Sequence, residues 1–174
     1  MHLFSDRNEL LDCAKKFLGE KIASLRNSAN HYLNTPGWTP ASPVLLYCFS
    51  TIDLLGAIYA GNATKSAHTT SQSKRYMTRF MGYTEYQARL LQSLFRHKLV
   101  HLADPGPVIE DGGKRISWMI IYKHSAAHRK LQKLGSLNFH HITDEIVYEF
   151  NYYFNLSVSD MVAEIEESVQ KRNG

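Results

Sequence analysis

The chain has 174 residues, 44% of them hydrophobic, and its formal charge is +4 with 21% charged residues. That is enough apolar material for one substantial core and too much for a disordered or low-complexity chain, so a single domain spanning 1–174 is the default. Two cysteines, Cys13 and Cys48, exclude a disulfide scaffold; they have no C-x-x-C spacing and read as reduced thiols of a cytoplasmic protein. The basic balance suits an acidic partner such as nucleic acid without specifying one.

In chain order, Ser5 is placed to cap a first helix running to about Asn34. Leu10, Leu11, Ala14, Phe17, Leu18, Ile22, Leu25, Ala29 and Leu33 keep one apolar stripe along its whole length, the mark of a packing helix. The segment TPGWTPASP breaks it, and Ser42 with Pro43 restarts a second helix to Ala60, closed by Gly61. That helix is apolar almost all round and should be central, although Asp53 keeps it from being an uninterrupted membrane span. No signal-peptide pattern precedes it. A carboxylate in such surroundings needs a cation, because an unpaired buried charge costs several kcal/mol. Arg96 is one candidate partner; a rim position with another basic residue is the other.

Residues 62–73 read as a polar loop, and Lys74, Arg75 and Arg79 follow on a short helix ending near Gly82. These three could guide a phosphate backbone, or simply form a solvated face. Thr84 and Gln87 then have the spacing of a capping box, opening a helix over about 84–103 that Pro105 stops. Ala88, Leu91, Phe95, Leu99 and Leu102 form its main apolar stripe. Leu90, Leu94, His97 and His101 form a second strip roughly 120° away at the regular helical advance, predicting a second contact face. The β element is expected over about 107–142, led by a hairpin on Asp111-Gly112-Gly113, with a last helix over about 143–170 capped by Thr143. On that helix Val147, Phe150, Phe154, Val158, Met161, Ile165 and Val169 would share a face.

Arg96 and His101, in RHKLVH, resemble the R-x-x-x-x-H signature of the HEPN family, small helical domains many of which are metal-independent endoribonucleases. The preceding apolar helix and the extended segments that follow strengthen the resemblance over most of residues 42–170. It implies a mainly α, HEPN-like bundle of about five helices with a small antiparallel β-hairpin or sheet after the motif helix. It also implies a homodimer in which two motif helices form one composite site, RNA as substrate, and a toxin–antitoxin or defence setting with an antitoxin protein as partner.

Histidine and arginine together suit phosphodiester cleavage in RNA. The imidazole of His101 can take the proton of the ribose 2′-OH or protonate the leaving oxygen, while Arg96 stabilises charge on the pentacoordinate phosphate. His97 would orient the pair or touch substrate, with Asp53 in support. No cofactor is expected. The i, i+4 spacing of His97 and His101 matches two zinc ligands, but no H-E-x-x-H glutamate or cysteine pair accompanies it, so no metal is expected either. His124, His128, His140 and His141 read as exposed loop or strand-edge residues. No Walker, G-x-S-x-G or other common catalytic motif appears. The alternatives are a non-catalytic HEPN-like module binding a nucleotide, RNA or protein, and an unrelated helical interaction protein.

Overall fold

The structure is a computed structural model and describes residues 6–34, 41–61, 69–97, 99, 108–134, 139–143 and 146–173. Among the described residues, five helices, α1 (Arg7–Asn34), α2 (Ser42–Ala60), α3 (Thr69–Phe80), α4 (Glu85–Leu91) and α5 (Val158–Asn173), accompany six strands. These are β1 (Ile109–Asp111), β2 (Lys114–Ile121), β3 (Leu131–Lys133), β4 (Phe139–Thr143), β5 (Ile146–Phe150) and β6 (Tyr152–Ser157). Four of them form a mixed sheet in the order β1-β2-β6-β3, and β4 pairs with β5 in a separate ribbon.

The helical entries follow from local chemistry. Asp6 caps α1, its carboxylate accepting the N–H groups of Asn8 and Glu9 at 2.7 and 2.9 Å; Ser5, expected in that role, lies outside the described residues. In α2 a proline in the first turn supplies a preset φ, and Gly61 closes the helix in the left-handed conformation at φ 66°. The α4 entry is the capping box that the spacing predicts. Thr84 Oγ1 accepts the Gln87 N–H at 3.2 Å, and Gln87 Oε1 accepts the Thr84 N–H at 2.8 Å.

The α2 helix is 19 residues long and apolar enough by length and composition to cross a membrane. Here it packs against α3, α1 and α5. Leu45, Cys48, Phe49, Ile52 and Leu55 are fully buried. Burial pushes the Cys48 thiol up to about 12, so it behaves as a small core hydrophobe. At Gly56 the α3 backbone comes so close that an added Cβ would lie 2.9 Å from the Gln72 carbonyl and the Ser73 nitrogen. This contact sets α3 where it can reach Asp53, one turn earlier on the same face of α2.

Phe95 ties the helices to the sheet. Its ring stacks on Phe49 of α2 at a centroid distance of 6.3 Å and lies 6.4 Å from Trp118 of β2. Leu90 and Leu94 are 1% and 0% exposed, so these two residues of the second strip are covered by this chain itself.

The main sheet is mixed rather than the small antiparallel hairpin or sheet expected. The β1–β2 hairpin forms as predicted, with Gly112 and Gly113 at φ 54° and 73° closing Asp111 against Lys114. The correction comes after it: β2 pairs in parallel with β6, from Ile116 opposite Tyr152 to Ile121 opposite Ser157. The last helix therefore starts at Val158, not near Thr143, and the β element extends to Ser157. Residues 146–157 are dense in aromatic and β-branched side chains, which favour a pleated strand. As the strand between β2 and β3, β6 buries Phe154, Asn155, Leu156 and Ser157 in succession, so no period-2 signal marks it.

Gly56→Ala separates two opposing effects. Helix propensity alone would stabilise the alanine variant by about 1 kcal/mol, whereas overpacking against the α3 backbone should cost ~1–3 kcal/mol. Urea denaturation should show net destabilisation; a more stable variant would mean that the α2–α3 approach is not close.

Candidate functional site

Three segments meet at Asp53. It lies on α2, and Arg96 closes a π-helical turn, Gln92–Arg96, that continues α4. Arg96 Nε donates to both carboxylate oxygens of Asp53 at 3.1 and 2.9 Å, and its Nη1 lies 3.4 Å from Thr70 Oγ1 of α3. Ser73 Oγ also hydrogen-bonds Asp53 Oδ1. The two charged side chains are 16% and 21% exposed, so the pair sits at the edge of the core with a solvent-facing side.

The geometry follows from helix registers. Gly56 admits α3, whose Thr70 and Ser73, three residues apart, face α2 together. The π turn does the rest: the His97 N–H bonds the carbonyl of Gln92, five residues back. One extra residue in the turn rotates all that follows by about 100° relative to a regular helix. The strip drawn at regular spacing therefore divides, with Leu94 in the core and His97 exposed. Such turns are frequent at functional sites.

Gln92, which opens the π turn, is 3% exposed, and among the described residues neither its Oε1 nor its Nε2 has a hydrogen-bond partner. A buried amide left open in this way costs on the order of 1–3 kcal/mol.

Of the sequence-selected residues, Asp53 and Arg96 are brought together. Thr70 and Ser73 were missed because the loop was drawn to Ser73, whereas α3 starts at Thr69. The spacing of Ser73, Tyr76, Met77 and Phe80 carried the helical signal. Arg75 and Arg79 are exposed and Lys74 half-buried on α3, with no described bond to the Asp53–Arg96 pair. His97 is exposed, and His101 lies outside the described residues. Among the described residues no three histidine, cysteine or acidic side chains form a set that could hold a metal ion.

A second polar cluster involves histidines that the sequence marked as exposed loop residues. His128 has a side chain only 7% exposed. Its Nδ1 accepts the Ser157 N–H at 2.9 Å, which leaves Nε2 to carry the proton toward Glu164 at 3.2 Å. Glu164 also accepts the Tyr83 hydroxyl at 2.6 Å and faces Arg129 Nε at 3.3 Å. Burial, followed by the Glu164 carboxylate, raises the Tyr83 phenol well above its usual range. Arg129 stands at φ 64°, a conformation that costs a side-chain-bearing residue about 1–2 kcal/mol. Its N–H bond to the Asn155 carbonyl at 2.9 Å and its guanidinium bond to the Met81 carbonyl at 3.1 Å hold it there. His128, Arg129, Asp160 and Glu164 line a cavity of about 380 Å³. Glu164 is paired with His128 and Arg129 on the same wall, while Asp160 pairs with His124 and Glu167 with Lys171, so it reads as a staple joining α5, the α3–α4 junction and the loop before β3. His140 and His141 fall in β4.

Asp160 adds a pH dependence. Burial pushes its carboxyl up, but the bonds with His124, Ser157 and the Ser125 N–H together outweigh burial and leave it below the usual carboxylate range. A carboxyl lowered in the folded state stabilises the fold above its unfolded value and loses that contribution as pH falls through the folded value. Asp160→Asn should therefore cost ~1–2 kcal/mol near neutrality, and the gap to the parent should narrow below roughly pH 4. A gap that is constant down to acid unfolding would contradict the assignment.

No protein-family model, no curated protein and no solved structure matches this chain.

Proposed function

We propose that the chain is a metal-independent endoribonuclease of HEPN type, acting on RNA through attack of the ribose 2′-OH, with Arg96 and His101 as its reactive pair. The observation that carries the reading is how Arg96 is held. Asp53 fixes the guanidinium through Nε and Thr70 approaches Nη1, while among the described residues nothing bonds Nη2. A guanidinium oriented from behind, with a free outer edge, suits a phosphate that gains charge in the transition state. Asp53 is then a positioning residue. Lys74, Arg75 and Arg79 share α3 with Thr70 and Ser73 and would add phosphate contacts along the RNA.

In this mechanism His101 removes the 2′-OH proton, the oxygen attacks the adjacent phosphorus, and the 5′-oxygen leaves with a proton from a second imidazole. The products are a 2′,3′-cyclic phosphate end and a 5′-hydroxyl end. The HEPN resemblance assigns the second imidazole to a partner copy, in a composite homodimer site. Leu90 and Leu94, expected to join two motif helices, are spent inside the chain. That burial favours a second reading, a non-catalytic HEPN-like module that binds RNA or a nucleotide on one protomer. An antitoxin partner and a cytoplasmic location belong to the first reading.

Cleavage of single-stranded RNA in excess chelator decides between them. Ribonuclease action should leave cyclic phosphate ends, and His101→Ala should lower the rate by ~10²–10⁴. Arg96→Ala removes both the phosphate contact and the partner of Asp53, so its melting temperature must be measured beside its activity; Arg96→Lys keeps a cation there and should regain stability more than rate. Binding without cleavage, weakened uniformly across RNA sequences by Arg75→Ala and Arg79→Ala, would establish the binding module instead.

A further inference from the structure

Cleavage by attack of the 2′-OH moves two protons. One leaves the 2′-oxygen, and one must reach the departing 5′-oxygen, because a bare alkoxide is a poor leaving group. With Leu90 and Leu94 buried inside the chain, the motif helix has lost two of the apolar residues expected to bring a second imidazole from another copy. A donor carried by the same protomer would complete the reaction without one.

Lys74 has the placement and the chemistry. It comes four residues after Thr70 on α3, so the two side chains share one flank of the helix, and a helical side chain leans back over the turn that precedes it. The lysine stem therefore runs toward Thr70, whose Oγ1 lies 3.4 Å from Arg96 Nη1. Arg75 is exposed about 100° further round the helix and faces away from this flank. Lys74 is half-buried, yet among the described residues its ammonium has no carboxylate, hydrogen-bond acceptor or aromatic ring. The other half-buried lysines described do have one: Lys21 lies 4.2 Å from the centre of the Tyr47 ring and Lys114 5.7 Å from that of Tyr152. No acidic residue occurs on α3, and Asp53 is already engaged by Arg96 and Ser73. The flank thus carries an unbalanced positive charge beside the open edge of the arginine, where an anion is favoured.

We propose that Lys74 is the general acid of the cleavage, in place of a second imidazole, so that one protomer holds the whole reactive set. The inference rests on the ribonuclease reading of Arg96 and His101. As the 2′-oxygen bonds to phosphorus and gives its proton to His101, the bond from phosphorus to the 5′-oxygen breaks, and that oxygen takes a proton from the Lys74 ammonium. Lysine is left neutral and histidine protonated, and water carries the proton from one to the other before the next turnover. In the transition state the ammonium and Arg96 share the charge that grows on the phosphate.

Cleavage of single-stranded RNA at saturating substrate reads this role. Lys74→Met keeps the half-buried stem and should melt with the parent, while kcat falls by ~10²–10⁴. Lys74→Arg keeps a cation that does not release its proton, so substrate binding should persist while kcat stays low. An RNA with sulfur in place of the scissile 5′-oxygen has a leaving group that needs no proton. On it both variants should cut within several-fold of the parent, whereas His101→Ala should remain slow. Mixing Lys74→Met with His101→Ala should restore nothing, since each copy lacks one member of its own set. Parent-like cleavage of ordinary RNA by either lysine variant, no rescue by the sulfur substrate, or activity regained in the mixture each overturns the proposal and leaves Arg96 and His101 in place. A parent that cuts neither RNA removes the ribonuclease reading, and the acid role with it.

Discussion

The ion pair between Asp53 and Arg96 is the constraint on which the arrangement of the helical layer turns. An almost wholly apolar helix carries one carboxylate, and at 21% exposure that carboxylate loses much of its hydration. Two segments converge to replace it: the π turn brings Arg96, and α3 brings Ser73 to the carboxylate and Thr70 to the arginine. Removing one partner would leave the other charge half-buried and open, which is why such pairs are costly to break even where their net contribution to stability is small. Gly56 belongs to the same constraint, because only a residue without a Cβ lets α3 come near enough for Ser73 to bond Asp53.

The π turn links this pair to the rest of the molecule. It sets Arg96 toward α2 and keeps Phe95 between Phe49 and Trp118, so the helical layer and the sheet are joined at the residue beside the arginine. The Gln92 amide, without a partner among the described residues, and the bulged hydrogen bond are local costs. Local costs of this kind persist where the surrounding packing over-determines the conformation, and they cluster at functional sites. The staple at Glu164 does comparable work at the other end of α4, where Gln87 caps the helix and also donates to the Arg129 carbonyl at 3.0 Å.

Much of the helical layer was legible from residue pattern. The capping box at Thr84, the glycine stop at Gly61 and the two-glycine hairpin depend on short-range chemistry that spacing alone reveals. Asp53 could be singled out because a lone acid in an apolar helix demands a cation, but the sequence left Arg96 and a rim pairing with another basic residue equally open. What failed was the segment from Thr143 to Ser157, where aromatic residues recur at intervals that fit a helix face and an interior strand equally well. The length of the α1 stripe misled in the opposite sense: periodicity shows that a face is apolar but not whether the same chain covers it. The π turn was invisible, since no residue type announces it, and with it went the division of Leu94 from His97.

The central claim is that Asp53 and Arg96 are energetically coupled and together set the π turn in place. A double-mutant cycle of Asp53→Ala, Arg96→Ala and the pair, read by urea denaturation, isolates that coupling from the cost of each truncation. The account predicts a favourable coupling of about 1.5–3 kcal/mol, the range of hydrogen bonds to charged groups. Additive single-variant effects, with coupling within about 0.5 kcal/mol of zero, would contradict it and return Arg96 to the role of a solvated cation at a helix end.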